Sequence, residues 1–82
     1  MSATSLPAFH AAQHVLAANV RRLCANRRLT QKRFAEAAGI DVRHVQRIEA
    51  GRANLRLDTL CLLAHALGTT PAVLITGEAD GP

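Results

Sequence analysis

Residues 31–50, QKRFAEAAGIDVRHVQRIEA, decide the reading of this chain. Ala35 is followed four positions later by Gly39, and Ile40, Val45 and Ile48 come next, with Phe34 ahead of them. Two short helices that cross closely through a tight turn need this pattern. A side chain larger than Ala35 would push them apart, and Gly39 accepts the left-handed conformation that ends the first of them. Thr30 and Asp41 stand where side-chain caps belong. The stretch therefore predicts helices over 31–38 and 42–50, the second stopped by Gly51. Ile40, Val45 and Ile48 bury the second helix, leaving Arg43, His44, Gln46 and Arg47 on its polar side.

Working outward, Leu16, Val20, Leu23 and Cys24 lie at helical spacing and stripe a helix that reaches Asn26. Ser5 is the expected cap for its start, with Pro7 in the first turn. Leu57, Leu60, Leu63, Ala64 and Leu67 stripe a fourth helix that stops at Gly68. Thr70 and Pro71 read as cap and first position of a short fifth helix through Ile75. Residues 77–82 are polar and are expected to fray as a flexible tail. The sequence shows no strand pattern, internal repeat or low-complexity segment.

Between Leu16 and Ile75 the segments VRRLCANRRLTQKRFAEAAGI, VQRIEAGRANL and LDTLCLLAHALGTTPAVLI resemble the lambda-repressor/Cro-type helix-turn-helix family, also called the Xre family. Leu29-Thr30-Gln31 is similar to the family's entry into its second helix. Ile48-Glu49-Ala50-Gly51-Arg52 resembles the exit from the third, and Ala64-His65-Ala66-Leu67-Gly68 the end of the fourth. The resemblance implies an all-α, five-helix lambda-repressor-like DNA-binding domain over 14–76, with its helix-turn-helix at the second and third helices. Residues 1–13 are then an N-terminal extension, helical or disordered. The implied function is a sequence-specific double-stranded DNA-binding transcriptional regulator, a dimeric repressor or autoregulator that reads the major groove with residues 42–50. Phage-type repressors, restriction–modification controllers and antitoxins all use such small domains. The alternative reading is an antitoxin that works mainly by masking a partner toxin, with DNA binding secondary.

With Val45 inward and about 100° per residue, Arg43 and Arg47 fall nearly opposite it and stand side by side as i,i+4 neighbours. Each guanidinium can donate two hydrogen bonds to guanine O6 and N7, and Gln46 suits adenine. Val42 is placed to touch a thymine methyl, and His44 sits further round. The family motif carries base contact onto Val42, Arg43 and Arg47; His44 and Gln46 complete the candidate set. Gln31 resembles the family's backbone-contacting glutamine at a helix start, where N–H groups face an anion. Arg52 and Asn54 follow the third helix and are similarly placed, and Lys32 joins them as a phosphate contact. Arg21, Arg22, Arg27 and Lys32 also fit an ordinary solvated surface.

Three sites depart from the family. Cys24 stands where many members carry an arginine paired with the glutamate matching Glu49, so Glu49 needs another partner. Arg28 replaces a glycine ahead of Leu29-Thr30-Gln31, which suggests a locally different turn. Leu55-Arg56 replaces Pro-Ser before the fourth helix and removes a good cap.

Composition sets the frame. At 82 residues the chain makes one small domain, with 49% hydrophobic and 2% aromatic residues, so its core must be aliphatic. Ten Lys+Arg against six Asp+Glu give a formal net charge of +4, which suits a polyanion without requiring one. Without an aromatic platform, single-stranded nucleic acid is a poor fit. Cys24 and Cys61 both fall in helical apolar patterns and are expected to be buried, reduced thiols. His10 and His14 are four apart but lack a third ligand, so no metal and no cofactor is expected. No catalytic constellation, signal peptide or membrane span is visible, and the chain reads as a cytoplasmic non-enzyme. Its expected partners are double-stranded DNA, a second copy and, on the alternative reading, a toxin. The expected dimer seam is the fourth-to-fifth helix region, with Val73, Leu74 and Ile75 as candidates, Leu74 alternatively belonging to the core, and with the N-terminal extension as second choice.

Overall fold

The computed structural model describes residues 2–76. Its α-helices are α1 (Pro7–Asn26), α2 (Gln31–Ala38), α3 (Val42–Glu49), α4 (Leu57–Ala66) and α5 (Pro71–Ile75), preceded by a 3-10 turn at Ala3–Ser5. There is no strand among the described residues. The polar tail expected at 77–82 lies outside them.

Side-chain caps fix several of the boundaries. The Thr30 hydroxyl accepts from Arg33 N at 3.1 Å, the Asp41 carboxylate from Arg43 N at 2.8 Å, and the Thr70 hydroxyl from Val73 N at 3.3 Å. Each satisfies an N–H that a helix start leaves unpaired. Gly39, Gly51 and Gly68 take φ of +72°, +74° and +67° and end α2, α3 and α4. α3 stops at Glu49, one residue before the expected Ala50, which becomes its C-terminal cap. Ser5 does not cap α1. Leu6 holds that position without a side-chain bond, and the Ser5 hydroxyl donates to the Ser2 carbonyl instead. Pro7 at the first helical position starts the helix by its fixed φ. Residues 7–13 are thus the first turns of α1.

Arg28 keeps the left-handed turn that its side chain disfavours, at φ +55°. The amide N–H groups of Arg28 and Leu29 donate to the carbonyls of Ala25 and Cys24 at 3.1 and 2.9 Å, closing the end of α1. These hydrogen bonds hold the turn left-handed despite the arginine side chain. Arg28→Gly is expected to raise stability by about 1 kcal/mol, because glycine removes the left-handed strain. Urea denaturation at fixed pH would show this as a higher midpoint with an unchanged slope.

The core contains Leu16, Val20, Phe34, Ala35, Ala38, Val45, Ile48, Leu63, Ala64, Leu67 and Leu74. Every helix contributes to it, and Phe34, Val45, Leu63 and Leu74 are fully enclosed. Leu74 is therefore core and is removed as a seam residue. On α4 the apolar stripe is narrower than expected: Leu57 is 74% exposed. The two cysteines separate as well. Cys24 is buried, and burial, then the charge of Glu49, pushes its thiol up to about 11. Cys61 is exposed, contrary to expectation, because it lies on the outward side of α4.

One buried polar side chain ties the ends of the fold together. Asn19 of α1 is 6% exposed, and its amide nitrogen lies 3.2, 2.9 and 3.1 Å from the carbonyls of Val73, Leu74 and Thr76. These acceptors lie in and just after the last turn of α5, where carbonyls lack helical partners. Gln13, also on α1, donates to the Ala53 carbonyl at 2.9 Å and fixes the segment between α3 and α4.

Candidate nucleic-acid interface

α2 and α3 meet through the three-residue turn 39–41, with Ala35 buried where the helices pack. Val45 and Ile48, at 0% and 1% exposure, fix the rotation of α3 about its axis. Arg43, Gln46 and Arg47 are consequently exposed together on the outer face, while Val42 and His44 are half-buried at its flanks. Gln46 is thus as open as the two arginines. Val42 packs partly against the core, which leaves it less side chain to offer outward.

Asp41 works on this face as well as capping it. Its carboxylate lies 3.7 Å from Arg43 Nε in a pair whose arginine and aspartate side chains are 85% and 59% exposed. So open a pair is well screened, and Arg43 is free to exchange Asp41 for another acceptor. The Arg43 backbone N–H holds the Asp41 carboxyl below its ordinary value, assisted by the Arg43 charge. Its cap therefore contributes above the ordinary carboxylate range and is lost as pH falls through the lowered value.

Gln31, Lys32, Arg52 and Asn54 are all exposed. Gln31 opens α2 and donates from Nε2 to Glu49 Oε1 at 3.0 Å. Glu49, lacking an arginine at position 24, has found this partner instead. The bond clips the start of α2 to the end of α3 and leaves the Gln31 amide one N–H for an outside acceptor. Arg21 reaches the same corner, donating to the Glu49 carbonyl. Sequence spacing gave no signal for that contact. The Arg52 amide N–H donates to the Arg47 carbonyl at 3.0 Å, which holds Arg52 at the C-terminal end of α3.

Among the described residues no group of three or more His, Cys, Asp or Glu side chains is arranged to hold a metal. No described helix is long and apolar enough to cross a membrane. The accessible thiol is Cys61. In the folded protein iodoacetamide is expected to modify Cys61 and to spare Cys24 until the chain unfolds, because a buried thiol with a raised pKa reacts slowly. Mass spectrometry of peptides from native and urea-treated samples checks this; labelling of Cys24 in the native sample would contradict the packing.

A helix-turn-helix exposing two arginines and a glutamine on its second helix defines a class of DNA-binding protein. The family profile described as "Helix-turn-helix" matches residues 20–74, and the chain belongs to this Xre-type helix-turn-helix family. It is 34% identical over 66 residues to Control protein C.SmaI of Serratia marcescens, a match covering 80% of this chain and 79% of that protein. Among solved structures it is similar to the hypothetical transcription factor NHTF from Neisseria, with a TM-score of 0.76 and 31% identity over 79% of this chain and 75% of that one. The clp gene regulator ClgR from Corynebacterium glutamicum gives a TM-score of 0.74 and 28% identity over 85% of this chain and 73% of that one. The protein is a DNA-binding transcriptional regulator with a lambda-repressor-like fold, and its family and structural neighbours are regulators rather than enzymes.

Proposed function

We propose that this chain is a dimeric, cytoplasmic repressor or autoregulator that reads the major groove of a two-fold operator with α3. The observation that carries the reading is the common exposure of Arg43, Gln46 and Arg47 on a helix whose rotation Val45 and Ile48 lock. In this proposal Arg43 and Arg47 read guanines, Gln46 reads an adenine, and Val42 and His44 make flanking base contacts. Gln31, Lys32, Arg52 and Asn54 hold phosphates on either side. The DNA-binding unit spans 14–76, with residues 1–13 as an N-terminal extension whose residues 7–13 continue α1.

One recognition helix covers only a few base pairs, too few for useful specificity in a genome. Two copies would place their α3 helices about one DNA turn, roughly 34 Å, apart. A long apolar exposed surface on residues 1–13 or on the tail, which lies outside the described residues, would favour the toxin-masking alternative. On 2–13 Leu6 alone, among the described residues, is an exposed large hydrophobic, at 39%. Residues 2–13 therefore supply no such surface.

Selection of bound duplexes from a random library tests the reading. The expected product is an inverted repeat whose half-sites each contain a guanine and whose centres are about one turn apart. Recovery of no enriched sequence would overturn the proposal.

A further inference from the structure

Three helices meet at one corner of the helix-turn-helix. Gln31 opens α2, and its Nε2 donates to the Glu49 carboxylate at 3.0 Å. Arg21, on α1, donates to the Glu49 backbone carbonyl. That carbonyl is one of the last four of α3, which a helix leaves without an internal partner, and a cation suits a helix C-terminus. Glu49 thus holds one residue by its side chain and another by its backbone. It is half-buried, while Gln31 and Arg21 are exposed. Cys24, one turn along α1 from Arg21, is buried beside it. Burial raises the Cys24 thiol and the Glu49 charge raises it further, so the carboxylate stands close to the inside of the corner.

The corner borders the base-reading face. At about 100° per residue, Glu49 lies roughly 60° round α3 from Gln46, on the side away from Arg47. A DNA backbone passing that edge would meet Gln31 and Arg21 together. Charge decides what a phosphate needs there. A carboxylate repels it, so Gln31, a neutral donor tied to that carboxylate, attracts it little by itself. Arg21 supplies the positive charge that balances Glu49. Its guanidinium carries several N–H groups in a fixed fork, so one can stay on the Glu49 carbonyl while another reaches a phosphate. The Gln31 amide has a second N–H for the same purpose. Donors already held in place lose less rotamer freedom on binding than loose ones.

We propose that Arg21 and Gln31 grip one DNA phosphate together, and that Glu49 is the positioning residue that holds both donors for it. The proposal rests on the DNA-reading function above and adds α1 to its backbone contacts. The expected sign for Glu49 is unusual. Removing an acid from a surface that meets a polyanion ordinarily strengthens attraction. Here its loss releases the Gln31 amide, so binding weakens. The same geometry makes Arg21 worth more than an ordinary surface arginine, because without it the phosphate faces the Glu49 carboxylate uncompensated.

The test titrates the full chain against the library-selected duplex and a scrambled one at several salt concentrations. Arg21→Ala is expected to weaken binding to both by about tenfold, as for a lost hydrogen bond to a charged group, and to lower the salt slope by about one. Arg21→Lys keeps the charge but cannot span carbonyl and phosphate, and should fall between with its salt slope unchanged. Glu49→Ala should weaken both duplexes by about fivefold, within the range of a modest hydrogen bond. Glu49→Gln, whose amide oxygen still accepts from Gln31, should restore the affinity. In a Gln31→Ala background Glu49→Ala should cost nothing further, since the side chain it positions is gone. Thermal melts by circular dichroism establish that each variant is folded at the titration temperature, and Glu49→Met, longer and without an acceptor, takes the place of Glu49→Ala if that one is not. Wild-type or tighter binding by the acceptor-less Glu49 variant, or an unchanged salt slope in Arg21→Ala, would overturn the proposal. The DNA-reading function would stand as long as Arg43→Ala still relaxed the base preference. A wild type that bound neither duplex would overturn both.

Discussion

Asn19→Asp is expected to destabilise the fold by about 3–5 kcal/mol at neutral pH, the cost of an uncompensated buried charge. The side-chain nitrogen that donates to the Val73, Leu74 and Thr76 carbonyls would become a carboxylate oxygen facing them. Arg22, 3.3 Å from Asn19 Oδ1, would offset part of this. Asn19→Ala should lose less, about 2 kcal/mol, since it removes the donor but adds no repulsion. For a domain of this size that is a fall in melting temperature of roughly 8–16 °C. The two variants separate by pH. A carboxyl facing carbonyls has a raised pKa in the folded state, and its protonated form can donate. The Asn19→Asp deficit should therefore shrink as pH falls through that raised value, while the Asn19→Ala deficit stays level. Thermal melts at about pH 4.5 and about pH 7.5, just above and well above the range of an ordinary aspartate, make the comparison. If Asn19→Ala melts within a degree or two of wild type, the clamp between α1 and α5 carries little.

The same clamp shows where sequence reading stopped. Thr30, Asp41, Thr70, Gly39, Gly51 and Gly68 act within a few residues of themselves, so local chemistry announces each helix end. The rotation of α3 was legible for a similar reason: Val45 and Ile48 are apolar among polar neighbours, and one wheel angle places Arg43 and Arg47. Asn19 pairs with carbonyls 54 to 57 positions away, and no local pattern marks it as anything but a polar residue on an apolar helix. Gln31 and Glu49 meet across 18 positions for the same reason. The misplacement of Cys61 and Leu57 has another cause. α4 is apolar on much of its circumference, so periodicity does not say which leucines face inward.

The second large effect concerns the division of work among the arginines. Arg43→Ala or Arg47→Ala is expected to cost about 1–3 kcal/mol on the selected operator and to relax the preference for one guanine in each half-site. A guanidinium that spans O6 and N7 discriminates among bases, so its loss should weaken operator and scrambled DNA unequally. Arg52→Ala should behave differently. A phosphate contact adds affinity without sequence information, so binding to both DNAs should fall alike, and the salt slope should drop by about one for each phosphate no longer neutralised. Arg43 holds Asp41 only in an open, screened pair, so little of its cost on DNA comes from leaving that partner. Titration of each variant against operator and scrambled duplex at several salt concentrations separates the two behaviours. Equal weakening of both duplexes by Arg43→Ala and Arg47→Ala would mean that α3 lies against the backbone, with its arginines on phosphates. The reading of bases would then pass to Gln46 and to the flanks of the helix, and the operator should show adenine rather than guanine as its strongest preference.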